Sequence, residues 1–172
     1  KTSMGIIESR RSIRNFQEKK IPKEVLLRIV KAGMHAPNAY GKRSWEFLVL
    51  TEKENIIKAA KVNHNAAPAL DAAAIIIPLY CQSKEGKMSD WWVEDMSACT
   101  QNILLKIEEE GLGGVWLGIY PREDRVQYLC ENFYIPSGVI PFSMIALGYA
   151  KEKGDGGFED REDAQIHFER YS

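Results

Sequence analysis

The sequence has few cysteines and histidines, no long apolar run and no surplus of one charge. Its three cysteines, Cys81, Cys99 and Cys130, are odd in number, far apart and without a CxxC spacing. That pattern excludes a disulfide framework and reads as reduced core thiols. His35, His64 and His167 lack any paired metal spacing, and no Cys or carboxylate completes a ligand set, so no metal site is expected. The longest nearly unbroken apolar run, Ala72 to Tyr80, falls far short of the roughly 20 residues a membrane helix needs. No apolar signal region follows Lys1-Thr2-Ser3-Met4. A soluble, cytoplasmic protein with no membrane partner is therefore expected. With 23 basic against 24 acidic residues, no global charge attracts nucleic acid. The GxSxG elbow of serine hydrolases is absent as well.

What is present fits one domain, residues 1–172, long enough to bury roughly 70% of its unfolded surface. Gly5 to Arg14 reads as helical, and a second helix follows Pro22, with Val25, Leu26, Ile29, Val30 and Met34 at helical spacing. The loop Ala36 to Ser44 delivers the chain into a strand, Trp45 to Leu50. A short helix around Ile56 and Ala60 precedes the polar bend Asn63-His64-Asn65. Ala72 to Tyr80 is too continuously apolar for an exposed strand and reads as a central one. The longest helix, Trp91 to Glu110, is expected to be capped by Asp90 and to carry a stripe of Trp92, Met96, Cys99, Ile103 and Ile107. Gly111 should end it in a left-handed cap. A strand at Val115-Trp116-Leu117, a helix from Arg122 to Glu131 and a strand from Phe142 to Leu147 complete the pattern. Residues 151–172 form a charged, glycine-rich extension. Helices first, then strands interleaved with helices, predict an α+β fold, a mixed central β-sheet flanked by helices on both faces.

The chemistry gathers in three places. Arg10-Arg11-Ser12-Ile13-Arg14 concentrates three guanidinium groups and a hydroxyl, and a helical turn would bring Arg10 and Arg14 onto one face, where their planar forks suit phosphate. The bland alternative is a solvated basic helix face. Pro37 and its neighbours form a loop. Gly111-Leu112-Gly113-Gly114-Val115-Trp116-Leu117-Gly118 invites a dinucleotide reading, but these glycines follow a helix and precede a strand, the reverse of that fingerprint.

In order, these segments resemble the flavin-dependent nitroreductase family, in which RRS-x-R opens the chain, A-P-S-A-x-N-x-Q-P-W-x-F follows the second helix and G-L-G-x-x-W-x-G follows the core helix. Here the counterparts are Arg10 to Arg14, then Ala36-Pro37-Asn38-Ala39 with Trp45 and Phe47, then Gly111 to Gly118, and finally Ala146-Leu147-Gly148-Tyr149. The resemblance implies a nitroreductase-like fold holding FMN at the interface of a homodimer. It puts Arg10 and Arg14 at the phosphate and ribityl end, with Arg11 and Ser12 as further donors. Pro37, Asn38 and Ala39 would pass along the isoalloxazine from the partner subunit, and Asn65 would bond the ring's polar edge. Trp116, Leu117 and Gly118 would lie on the other side, with a backbone N–H near Gly118 reaching N5. A second phosphate contact would come from Lys151 or Arg161, and the tail would pack on the partner.

The implied activity is ping-pong hydride transfer from NADH or NADPH through the flavin to an electron-poor acceptor such as a nitroaromatic or quinone, with no catalytic side chain required. Dehalogenation, double-bond oxidation, flavin-consuming chemistry, a non-catalytic flavin-binding or sensing module and a ligand-free interaction domain are the alternatives. Gln82 to Trp92 is the candidate lid. This chain departs from the family pattern at Gly41, Arg43 and Ser44. Arg43 would set a fixed charge beside the ring, stabilising an anionic reduced flavin or binding an acidic substrate.

Overall fold

The computed structural model describes residues 5–82, 88–152 and 166–171. Among them the chain forms α1 (Ile6–Ser9), α2 (Lys23–Gly33), β1 (Trp45–Leu50), α3 (Lys53–Ala60), β2 (Ala74–Cys81), α4 (Trp92–Glu109), β3 (Gly113–Gly118), α5 (Glu123–Asn132), β4 (Val139–Pro141) and β5 (Ser143–Gly148). The sheet runs β1-β2-β5-β3, with β4 also on β2. Every named strand pair is antiparallel, and parallel pairing occurs only in an isolated bridge between Ser12 and Gly114. The continuous apolar run of β2 is explained by its interior place: all eight of its residues are buried. Short β4, ending in Pro141, carries no alternation from which it could be foreseen.

Each face of the sheet has its own core. On one, α2 and α4 lay Ile29, Met96, Cys99, Ile103 and Ile107 against Ile76, Ile145 and Leu147. On the other, α3, α5 and the segment through Phe16 cover Ile75, Ile77, Val115, Leu117 and Met144. Each fully buried aliphatic side chain contributes about 1.5–3 kcal/mol. The expected stripe on α4 is thus the seam between helix and sheet. Gly33 lets α2 approach it closely, because a methyl there would stand 2.9 Å from the Ile103 side chain. Thr100, fully buried on α4, donates to the Met96 carbonyl at 2.8 Å and shares a 3.0 Å hydrogen bond with the buried Ser143 hydroxyl of β5. No helix among the described residues is long and apolar enough to cross a membrane.

The ends of α4 show one expectation met and one corrected. Gly111 has φ +77°, Leu112 N–H donates to the Ile107 carbonyl and Gly111 N–H to that of Glu108, the paired bonds of a left-handed helix terminus. Three glutamates there oppose the helix dipole, and each has a partner. Arg28 grips Glu110 bidentately at 2.8 and 2.9 Å, Lys106 pairs with Glu109, and the Ser9 hydroxyl donates to Glu108 at 3.0 Å. At the other end Asp90 is not the cap. Trp91 holds that position, and its N–H donates to the Ser89 hydroxyl at 3.2 Å. Trp91 is exposed and Trp92 buried against Tyr80, Tyr120 and Phe142.

A second correction concerns the first segment. The helix expected from Gly5 to Arg14 ends at Ser9, and the chain continues extended beside β3. Two long-range ties override local helical preference there. Ile13 N–H donates to the Gly114 carbonyl at 2.9 Å, and the Ile13 side chain lies where a methyl on Gly113 would stand, 2.8 Å away. From Ser12 the chain crosses the sheet to pair Phe16 with Ala150.

Candidate functional site along the open edge of β3

Because residues 10–14 are extended, Arg10 and Arg14 do not meet on a helical face. They share a side of the chain through the two-residue period of extended backbone, together with Ser12. Ser12 and Arg14 are exposed and Arg10 is half-buried. Among the described residues neither Arg10 nor Arg14 has a carboxylate within ion-pair distance. Arg11 points back instead: its Nη1 donates to the carbonyls of Glu8 and Arg10, both at 2.6 Å, covering the free end of α1.

Beside this segment the register of β3 decides which backbone groups are available. In an antiparallel pair, residues alternate between those bonded to the neighbouring strand and those whose N–H and C=O point away. Gly114 belongs to the second kind, since its carbonyl accepts from Ile13 outside the pair. Two and four residues further on, Trp116 and Gly118 stand opposite Ile145 and Ser143 in the same phase. Their N–H and C=O groups therefore face the open edge. Among the described residues no strand pairs with β3 on that side beyond the Ser12 bridge. From Gly114 to Gly118 this edge is about 13 Å long.

Gly118 is unlike the other glycines of β3 and β5. A methyl at Gly148 would lie 3.1 Å from Phe16 and one at Gly114 3.1 Å from Ile107, so this chain itself crowds those positions. At Gly118 the nearest neighbour of a methyl among the described residues would be Arg125 Nη1, at 3.7 Å, an ordinary contact. The residue is exposed. Nothing among the described residues crowds the place a side chain would take.

The backbone of Lys151 adjoins the end of the Arg10 to Arg14 segment, while its residue lines a groove with Glu52, Lys53 and Asp71. Its N–H donates to the Asn15 carbonyl at 3.1 Å, and Gln17 Nε2 ties down Ala150 at 2.8 Å. Arg161 lies outside the described residues. So do residues 83–87 of the segment proposed as a lid.

The Pro37 loop forms a separate group. Asn38 accepts from Arg43 N–H at 2.9 Å through Oδ1, and Ala39 N–H donates to Asp95 Oδ1 on α4, also at 2.9 Å. Tyr40, Gly41 and Arg43 have φ of +58°, +61° and +50°. Tyr40 and Arg43, which are not glycine, each carry a left-handed cost of about 1–2 kcal/mol. Both the Arg43 and Tyr40 side chains are exposed. The start of α4 approaches β3 through rings, with Trp92 at 4.5 Å from Tyr120 and Phe142 at 6.0 Å from Trp116. Asn65 is exposed on the His64–Asp71 turn, its N–H donating to Asn63 Oδ1 at 2.8 Å.

Two residues at these sites escape a reading by motif. Asp95 anchors the Pro37 loop. Arg125 donates from Nη1 to the Gly118 carbonyl at 2.7 Å, although it sits in the first turn of α5, where a cation opposes the helix dipole. That misplacement was the available signal. Two surface grooves, of about 810 and 790 Å³, lie away from the β3 edge, one between α2 and β1 and the other including Lys151.

The signature of the Nitroreductase family matches residues 7–149. A protein of Methanothermobacter thermautotrophicus named "Putative NADH dehydrogenase/NAD(P)H nitroreductase" is 42% identical over 166 residues, 96% of this chain and 85% of that one. The structure of a "Putative NADH Oxidase" from Clostridium acetobutylicum has a TM-score of 0.90 at 42% identity, covering 96% of this chain and 99% of the other. An FMN-dependent nitroreductase of Clostridium difficile R20291 gives 0.87 at 29% identity, covering 97% and 99%. Sequence signature and fold agree over most of the length: the chain belongs to the nitroreductase family.

Proposed function

We propose that this chain is an FMN-dependent oxidoreductase whose flavin lies along the open edge of β3. The observation that carries the proposal is Gly118, exposed, uncrowded by its own chain and with its backbone groups facing that edge. Such a glycine suits the close approach of a flat ring from outside. The residues present fit the cofactor. Arg10 and Arg14, free of carboxylate partners among the described residues, suit the phosphate and ribityl end, with Ser12 between them and the Lys151 N–H bonded to the adjoining backbone. Arg11, occupied with carbonyls of its own segment, contributes charge near that end more than direct bonds.

When bound, FMN supplies an N5 that accepts hydride from NADH or NADPH and passes it to an electron-poor acceptor such as a nitroaromatic or quinone. Gly118 N–H is the donor aimed at that edge, while Trp116 and Leu117 support the strand behind it. The work of the chain is to bind, orient and shield, and protons come from solvent. Pro37, Asn38 and Ala39 close the ring's other side from a second copy of the chain, which makes the enzyme a homodimer and brings Arg43 toward the acceptor. Asn65 meets the ring's polar edge. An edge open on one side is the shape expected of a site that a second subunit completes.

The test is a visible spectrum of the purified protein, before and after anaerobic NADH or NADPH, with the released flavin identified. Flavin bands that bleach with nicotinamide and return with a quinone are expected. Bound FMN that neither nicotinamide reduces would leave a flavin-binding module, and a colourless protein that takes up no FMN would overturn the site altogether.

A further inference from the structure

Among the described residues the Arg125 side chain has one hydrogen bond, from Nη1 to the Gly118 carbonyl. Its Nε is buried and without a partner, and no carboxylate neutralises the guanidinium among the described residues. The neighbouring Arg122 pairs with Asp124 at 3.6 Å, so the acid beside Arg125 in the first turn of α5 is directed elsewhere. A cation in that turn works against the helix dipole, and a buried N–H without a partner costs about 1–3 kcal/mol. The side chain does little for the helix that bears it. What it does is fix one peptide group, at the end of the strand where the backbone faces outward.

We propose that Arg125 is a positioning residue for the flavin. Its guanidinium clamps the Gly118 carbonyl, which holds the Gly118 N–H toward the open edge, and its unbalanced charge favours the more negative, reduced form of the bound flavin. The proposal rests on the flavin site at this edge. It differs from the role suggested for Arg43, which lies on a separate loop and acts from the second subunit.

Arg125→Met removes both the clamp and the charge; Arg125→Lys keeps the charge without the fork. FMN affinity in the oxidised and reduced states, flavin midpoint potential and apoprotein melting are measured for wild type and both variants. Arg125→Met is expected to melt close to wild type, to bind oxidised FMN about tenfold more weakly and reduced FMN about a hundredfold more weakly. The extra tenfold corresponds to a midpoint lowered by about 30 mV for a two-electron couple. Arg125→Lys should recover most of the potential while its oxidised-FMN affinity stays reduced, a split that a purely structural role does not produce. Wild-type affinity and potential in Arg125→Met overturn the proposal alone. Should Arg125→Met fail to fold, a potential in Arg125→Lys as low as a tenfold state difference predicts overturns the charge role. A wild-type protein that takes up no FMN overturns this proposal together with the site it rests on.

Discussion

One added side chain separates two explanations of Gly118. If the position is glycine because something outside the chain must come close, a larger residue should be tolerated in the empty protein and refused with the cofactor. Gly118→Val suits a strand by its β-branch, and the space beside its first carbon is open except for Arg125 Nη1 at 3.7 Å. We expect the apoprotein of this variant to melt within about 2 °C of wild type, since surface substitutions away from special features are small in effect. FMN affinity, read by quenching of flavin fluorescence, should fall at least tenfold. Equal affinity would move the flavin away from Gly118. At the same scale, Arg125 shows what a motif cannot convey. Its partner is a carbonyl seven residues away, and only the turn between β3 and α5 brings them together.

Among the elements, α4 was readable because its buried residues repeat at three and four, and Gly111 because a left-handed helix end favours glycine. Residues 10–14 were misread for the opposite reason. Their helical appearance is local, whereas the partners that hold them extended, Gly113 and Gly114, lie about a hundred positions further on. The outward face of Trp116 and Gly118 is equally hidden, since it depends on the register with β5 and not on residue type. The C-terminal end of α4 offers a pH test. Hydrogen bonding to Arg28 holds the Glu110 carboxyl below its ordinary value of 4.5. A depressed folded value means that the ion pair's contribution is complete above about 4.5 and is lost as pH falls through the folded value. Glu110→Gln should therefore melt about 1–3 °C below wild type near neutrality. Calorimetry should show that gap narrowing below pH 4.5, and a constant gap would mean that the pair does not anchor α2 to α4.

For the whole molecule, the expectation of reduced core thiols becomes a measurement of packing. Burial pushes the Cys99 thiol up to about 12, and burial with the neighbouring Glu131 raises that of Cys130. Cys81 and Cys99 are buried, and Cys130 is partly covered. A chromogenic disulfide reagent at pH 8 should therefore modify Cys130 slowly in the native protein and reach all three thiols only in denaturant. Rapid native reaction of Cys99 would contradict the packing of α4 against the sheet. The two-faced sheet and the order of its motifs were readable over the whole length, because both are matters of composition and sequence order. Which backbone groups face outward at the candidate site was not, because that depends on strand register and on which edges are left open.

An open strand edge has a cost that the site imposes on the rest of the protein. Unpaired N–H and C=O groups in a row are a template for a stray strand, which proteins commonly blunt with charge, bulges or a covering element. On β3 the stretch that our proposal leaves bare for a ring is short, and the Arg125 guanidinium already occupies the Gly118 carbonyl. The bond proposed to orient this peptide for a ligand also removes one acceptor from any intruding strand, so the same guanidinium blunts the edge at Gly118.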